Sequence, residues 1–310
     1  LLGVSFCCLN VFSGISRAWY ESVTQACISD YAPADKKLSA FGLRYIAANV
    51  GSALGPLFGA LLGISGSLYG FYATGAILFA YLICLSVVLL QHQSIETKAQ
   101  QSNINFGDII KILCRDKSFA YLNFGCAFAY FGFVQQEVLF GQVLFIKLHD
   151  IHLLAILLFL NAMLAILLQI PVSQFFGQRF SYLSTMIFGV FLLAMGLIGI
   201  GNSGTNILFY IISEIIFTLG EILVFSFSSV AIDMMAPANL RGSYFGAATF
   251  QFIGRAIGPP VGGLLLELLG VSLSLSAIAL LTSLSIFCFY RSIAYFPTPL
   301  PKLSLKSSII

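Results

Sequence analysis

The sequence has very little charge. Only 9% of its 310 residues are Asp, Glu, Lys or Arg, against 59% hydrophobic residues and a mean hydropathy of +0.96. Soluble domains carry roughly 25% charged residues, and no water-soluble core could hide this much apolar surface. There is no basic stripe, so the net charge of +3 does not point to a nucleic-acid partner. The three histidines, His92, His149 and His152, stand at helix ends or in loops. No histidine cluster, metal-ligand spacing, activated nucleophile or phosphate-binding loop occurs, which argues against a membrane-embedded enzyme and implies neither a metal nor a cofactor. The seven cysteines show no disulfide spacing. The first residues lack the basic n-region and small-residue cleavage site of a signal peptide.

What the sequence does have is a series of long apolar runs. They cover residues 4–28, 40–64, 69–91, 119–146, 152–175, 181–200, 206–230, 243–266 and 270–291. An α-helix of about 20 residues crosses about 30 Å of hydrocarbon, so the pattern predicts an all-α membrane protein with about nine transmembrane helices, in contact with the lipid bilayer. Most links are short, which makes consecutive helices antiparallel neighbours. The exception is 92–118, polar at first and then amphipathic over Phe106 to Cys114. It predicts a cytoplasmic linker with a short helix at the interface. The chain thus divides into a first bundle over 1–91, the linker, a second bundle over 119–293 and a cytoplasmic tail over 294–310.

Loop charges give an orientation. If the first helix runs from outside to inside, eleven loop and tail Lys or Arg fall on one side and only Lys147 on the other. The positive-inside rule then puts the C-terminus in the cytoplasm of a cell whose inner membrane holds the chain.

Two segments echo each other. Asp30, Ala32, Pro33, Ala34, Phe41, Gly42, Gly51, Gly55, Pro56 and Gly59 are matched by Asp233, Ala236, Pro237, Ala238, Phe245, Gly246, Gly254, Gly258, Pro259 and Gly262. The offset is 204 from Pro33 to Pro237 and 203 from Pro56 to Pro259. A period near 200 residues suits duplication of a six-helix bundle. Only three helices precede the linker, so three are expected to be missing from the first bundle, and the chain reads as a fragment.

GSALGPLFGA at 51–60 resembles the GxxxGPxxGG motif in the fifth helix of the major facilitator superfamily, and GRAIGPPVGG at 254–263 resembles its counterpart in the eleventh. SRAWYESVTQACISDYAP, LRYIAANVGSALGP, NAMLAILLQIP and TLGE followed by APANLRG are similar to bacterial multidrug-resistance members, which are drug:proton antiporters. The resemblance implies helices 4 to 12 of a twelve-helix fold, a small-molecule substrate and protons as partners. It implies export of small amphipathic compounds or drugs by alternating access, impaired if the chain is truncated. Uptake of peptides, sugars or metabolites by the same fold stays open, as does a non-transporting remnant. In the family the fifth helix packs near the eighth and the eleventh near the second. The face of Gly254, Gly258 and Gly262 is therefore expected to lack its partner.

Glycines every four residues at 51, 55 and 59 leave a bare helix face for another backbone, and Pro56 can bend the helix. The face serves as ordinary packing or as a seal that opens and closes. Intramembrane charges are the other signal, since each costs roughly 2.5–3.5 kcal/mol even on lenient insertion scales. Arg17 and Glu21 are spaced to pair along one helix, in the less favoured order. Glu214 and Glu221, seven apart, lie within about 20 degrees of one helix face; Glu221 is the better candidate to bind and release a proton. Arg255 is expected to face one of these two acids. Gln135, Gln136, Glu137, Asn161 and Gln169 should point into the bundle, for substrate contact or interhelical hydrogen bonds. Arg44 is expected to snorkel from a helix end, and Asp30, Asp35, Lys36 and Lys37 to stay wet in a loop.

Overall fold

The structure, a computed structural model, describes residues 2–61, 68–91, 105–149 and 152–296. Among these residues it is helical with no strand. The elements are α1 (Leu2–Tyr31), α2 (Lys37–Leu61), α3 (Leu68–Gln91), α4 (Phe106–Arg115), α5 (Lys117–Phe133), α6 (Gln135–Leu148), α7 (His152–Arg179), α8 (Tyr182–Asn202), α9 (Ile207–Met235), α10 (Arg241–Ala248), a single 3-10 turn (Thr249–Phe252) and α11 (Ile253–Tyr295). The described part of each of the nine apolar runs falls on helix. Among the described residues six helical stretches are long and apolar enough to cross a membrane, and they take in seven of the runs. The remaining two, α1 and α2, are diluted by Arg17, Glu21, Lys37 and Arg44.

Start and stop signals are local. Asp116 accepts the Phe119 amide at 2.9 Å, Ser181 that of Ser184 and Asn206 that of Phe209, each satisfying one orphan donor of a helix first turn. The amphipathic helix of the linker forms as α4, while 92–104 lies outside the described residues. α7 runs beyond the end of its apolar run at 175, as far as Arg179.

The run at 119–146 is not one helix but two, parted at Val134. Gln135 spans the break, its amide donating to the Phe131 carbonyl at 2.8 Å and the Gly258 carbonyl at 3.1 Å. An unsatisfied carbonyl in hydrocarbon costs several kcal/mol, so a buried amide at a broken helix is what the medium requires. At the other predicted boundary α11 turns at Gly270, whose φ of 70° suits glycine.

The core is made by α5, α6, α8, α9 and α11, with Phe140, Phe217, Phe227 and Phe289 fully buried. Gly254, Gly258 and Gly262 face this core. A Cβ on Gly254 would collide with the Ala127 carbonyl, one on Gly258 with Val134 and one on Gly262 with the Gln135 side chain. This corrects the expectation of an unpartnered face: α5 and α6 cover it. The counterpart is the open one, since among the described residues nothing lies within 4 Å of a Cβ built on Gly51 or Gly55. The side chains of Pro56 and Gly59 lie outside the described residues. α2 does pack on α7, as expected for a fifth helix near an eighth, but through another face, where Gly42 meets Gln169.

α1 and α2 dock on the core in a reciprocal manner, α1 against α10 and α2 against α9. Positions 204 apart meet each other: Ser229 donates to Gln25 at 2.9 Å, Ser29 donates to Asp233, and the Phe41 and Phe245 rings lie 6.0 Å apart. Such self-pairing of equivalent positions is what a twofold axis between two repeats produces. α3 is different, with none of its apolar stretch buried. It meets α1 through Tyr20 and Tyr81, whose hydroxyls are 3.2 Å apart.

Candidate functional site

One end of the repeat interface is sealed by charge. α1 ends and α2 begins there, as do α9 and α10. Lys37 Nζ lies 2.6 Å from Asp233, and Arg241 lies 2.9 Å from Asp30 and 3.4 Å from Asp233. The two bases are equivalent by the repeat, and each reaches across the axis to the other repeat's acid. Lys37 is only 15% exposed, so the expectation that the loop charges stay wet fails for Lys37, while Asp30 remains exposed. Burial of Phe41 and Phe245 beside them completes the closure.

Further in, between α1 and α2 on one side and α5, α6, α9 and α11 on the other, lies a cavity of about 520 Å³. Its wall is aromatic at Tyr130, Phe133, Phe225 and Phe252. Its charges are Arg17, Arg44 and Arg255 against Glu21, Glu137 and Glu221.

The pairing among these differs from expectation. Glu21 bonds Arg44 on the neighbouring helix rather than Arg17 on its own. The interhelical pair spares two partly buried groups the cost of an isolated charge, whereas Arg17, which also borders the cavity, is exposed. Arg44 therefore does not snorkel. Arg255 pairs with Glu137, at 2.6 and 2.8 Å, and not with Glu214 or Glu221. The break at Val134 sets this partner, because it starts α6 with Glu137 in its first turn beside α11.

Glu221 stands at the boundary of the two repeats. Tyr45 of α2 donates to one carboxyl oxygen, and Asn161 of α7 donates to the other at 2.6 Å. Asn161 also reaches Thr218 at 3.0 Å. Glu214, one face and seven residues away, is sealed inside the second bundle, where Gln136 donates to it and its other oxygen has no partner. Both acids are buried, and Glu221 is the one that borders the cavity. Gln169 is occupied structurally, its amide donating to Ser226 at 2.5 Å.

Sequence reasoning missed Tyr45, read as one more aromatic of an apolar run, and missed that Gln25 and Ser229 meet. The offset of 204 that relates Gln25 to Ser229 was the available signal. For Tyr45 there was none.

The model described as Major Facilitator Superfamily matches residues 2–255. The chain is 28% identical over 286 residues to the uncharacterized MFS-type transporter YqjV of Bacillus subtilis, covering 91% of this chain and 69% of that protein. It is 27% identical to the uncharacterized MFS-type transporter YdeE of Escherichia coli, covering 84% and 63%. The chain thus spans about two thirds of the length of these relatives. Among solved structures, the human organic anion transporter MFSD10 (TETRAN) superposes with a TM-score of 0.65 at 15% identity, over 86% of this chain and 67% of that one, a likeness of fold. The duplicated bundle, the cavity at its axis and this family match over residues 2–255 lead to one conclusion: the chain belongs to the Major Facilitator Superfamily and is a multi-pass membrane protein of a transporter family.

Proposed function

We propose that the chain serves proton-coupled export of small amphipathic compounds by alternating access, with Glu221 as the group that carries the proton. The observation that carries this reading is the position of Glu221, buried, bordering the cavity and bonded to both repeats at once through Tyr45 and Asn161. An ionised carboxylate accepts from both donors. A protonated one must give up an acceptor site, which loosens the bond across the repeat interface. Protonation and movement of one repeat against the other are thereby linked.

The remaining parts follow from the same geometry. Arg17, Glu21, Glu137, Asn161 and Arg255 border or support the substrate path, and Glu214 is a second buried acid behind it. The aromatic wall takes the apolar body of the substrate. Gly51, Gly55, Pro56 and Gly59, and Gly254, Gly258, Pro259 and Gly262, serve helix packing and gating. α1–α3 form one bundle, the segment 92–118 the linker and 119–293 the other bundle. The closed end carries the basic loops and faces the cytoplasm of an inner membrane, with the C-terminus on that side.

The test is binding of a fluorescent amphipathic dye to the purified chain as pH is varied around neutrality, together with dye efflux from proteoliposomes under an imposed pH gradient. Competition between protons and dye should vanish in Glu221→Gln, and gradient-driven efflux with it. Unchanged proton competition in Glu221→Gln removes Glu221 from the mechanism.

A further inference from the structure

A second cavity, of about 460 Å³, lies where α4 meets α5 at the basic end of the molecule. Arg115 and Lys117 border it, with Met234, Met235 and Tyr295 behind them. Among the described residues neither Arg115 nor Lys117 has an ion-pair partner, and both are exposed. Lys117 sits over the Tyr295 ring, 5.5 Å from its centre, and Arg291 lies 5.3 Å from the same centre. Three cations thus gather around one aromatic ring and its cavity.

The acid in the cavity, Asp116, is already committed. One carboxyl oxygen accepts the Phe119 amide at 2.9 Å and the other the Tyr244 hydroxyl at 2.8 Å. It fixes the α4–α5 corner rather than neutralising its two neighbours in sequence.

α4 indicates the medium. Ile109 and Leu113 pack on the core, whereas Phe106 and Ile110, on the same apolar side, are exposed at 76% and 44%. Asp108 and Lys111 pair with each other at 3.2 Å on the polar side. A helix with half its apolar stripe open and a charged edge lies in the interfacial plane of a bilayer, at headgroup depth. The cavity at its C-terminal end is then at the level of lipid phosphates.

We propose that this cavity binds the phosphate of an anionic phospholipid, held by Arg115 and Lys117, with the acyl chains running beside Phe106 and Ile110. Basic pockets between transmembrane helices on the basic side of a membrane protein suit such headgroups, and each cation near the surface adds attraction of its own. The inference stands apart from the transport reading, because it uses neither Glu221 nor the central cavity.

The test is native mass spectrometry of the 310-residue chain released from nanodiscs of phosphatidylcholine mixed with phosphatidylglycerol. Phosphatidylglycerol should be retained in preference, and the double variant Arg115→Gln, Lys117→Gln should lose roughly 30-fold in relative retention, from two lost cation contacts. Lys111→Gln, which removes a cation from the same helix outside the cavity, should retain the lipid like the wild type. Equal loss in Lys111→Gln means diffuse surface attraction and overturns the site. Equal retention by the double variant overturns it too. Inorganic phosphate that stabilises the detergent-purified chain as well as phosphatidylglycerol does would make the occupant a soluble phosphate and overturn the lipid assignment.

Discussion

α2 and the first half of α11 carry nearly the same proline-glycine sequence, yet one presents its glycine face to open space and the other is locked against α5 and α6. A Cβ on Gly254 would run into the Ala127 carbonyl, while a Cβ on Gly51 or Gly55 would meet nothing. The motif makes close approach possible; it does not say whether a partner is there. The comparison also reverses an expectation drawn from family packing, under which the face on α11 was to be the exposed one. Within the second repeat the broken helix α5–α6 supplies the partner.

Substitution at the glycines gives the largest contrast. Gly254→Leu forces side chain against backbone and should cost about 3 kcal/mol, at the upper end of overpacking effects. Gly51→Leu should change stability by no more than about 0.5 kcal/mol. Unfolding titrations of both variants in mixed micelles measure the difference, and equal losses would mean that α2 is packed as tightly as α11.

The acids of the sealed end come next. Asp233 is 3% exposed and faces both Lys37 and Arg241, whereas Asp30 is 50% exposed and faces only Arg241. Asp233→Asn leaves Lys37 without its acid and Arg241 with Asp30 alone, and should cost about 2 kcal/mol, discounted from fully buried pairs because Lys37 and Arg241 keep some solvent. Asp30→Asn should cost less than about 1 kcal/mol. A double-mutant cycle on Lys37 and Asp233, set beside one on Arg241 and Asp30, should give the larger coupling in the first.

The smallest contrast is between Gly42 and Gly246. A Cβ on Gly246 meets nothing, so Gly246→Ala should gain up to about 1 kcal/mol from helix propensity. A Cβ on Gly42 comes within 3.3 Å of the Gln169 amide, which must give way, and Gly42→Ala should gain less. Thermal unfolding of the two variants side by side tests the order.

How much of this was readable beforehand varies with the range of the interaction. Helix positions were legible because hydrocarbon imposes a length and an apolar composition on every span. The short amphipathic helix α4 was legible from its own periodicity. The interruption at Val134 was not, because Gln135, Gln136 and Glu137 read as inward-pointing polar groups of one continuous helix, whereas Gln135 bonds a carbonyl on α11 at the break. Of the candidate site, Glu221, Arg17, Glu21, Glu137 and Arg255, picked out as intramembrane charges, border one cavity. Their partners were not legible, because spacing suggested Arg17 for Glu21 along one helix and an acid of the preceding helix for Arg255, whereas packing brings Arg44 of α2 to Glu21 and Glu137 of α6 to Arg255.

The sequence by itself determined a lipid-embedded helical chain, the places of most of its helices and the doubling of a pattern 203 to 204 residues apart, since these follow from hydropathy, length and local residue pattern. Only the tertiary structure decided which glycine face is covered, which acid each arginine meets and that equivalent positions touch across an axis. Those outcomes depend on how helices distant in sequence approach one another. In a medium without water, each buried charge and carbonyl takes whichever partner the packing brings within reach.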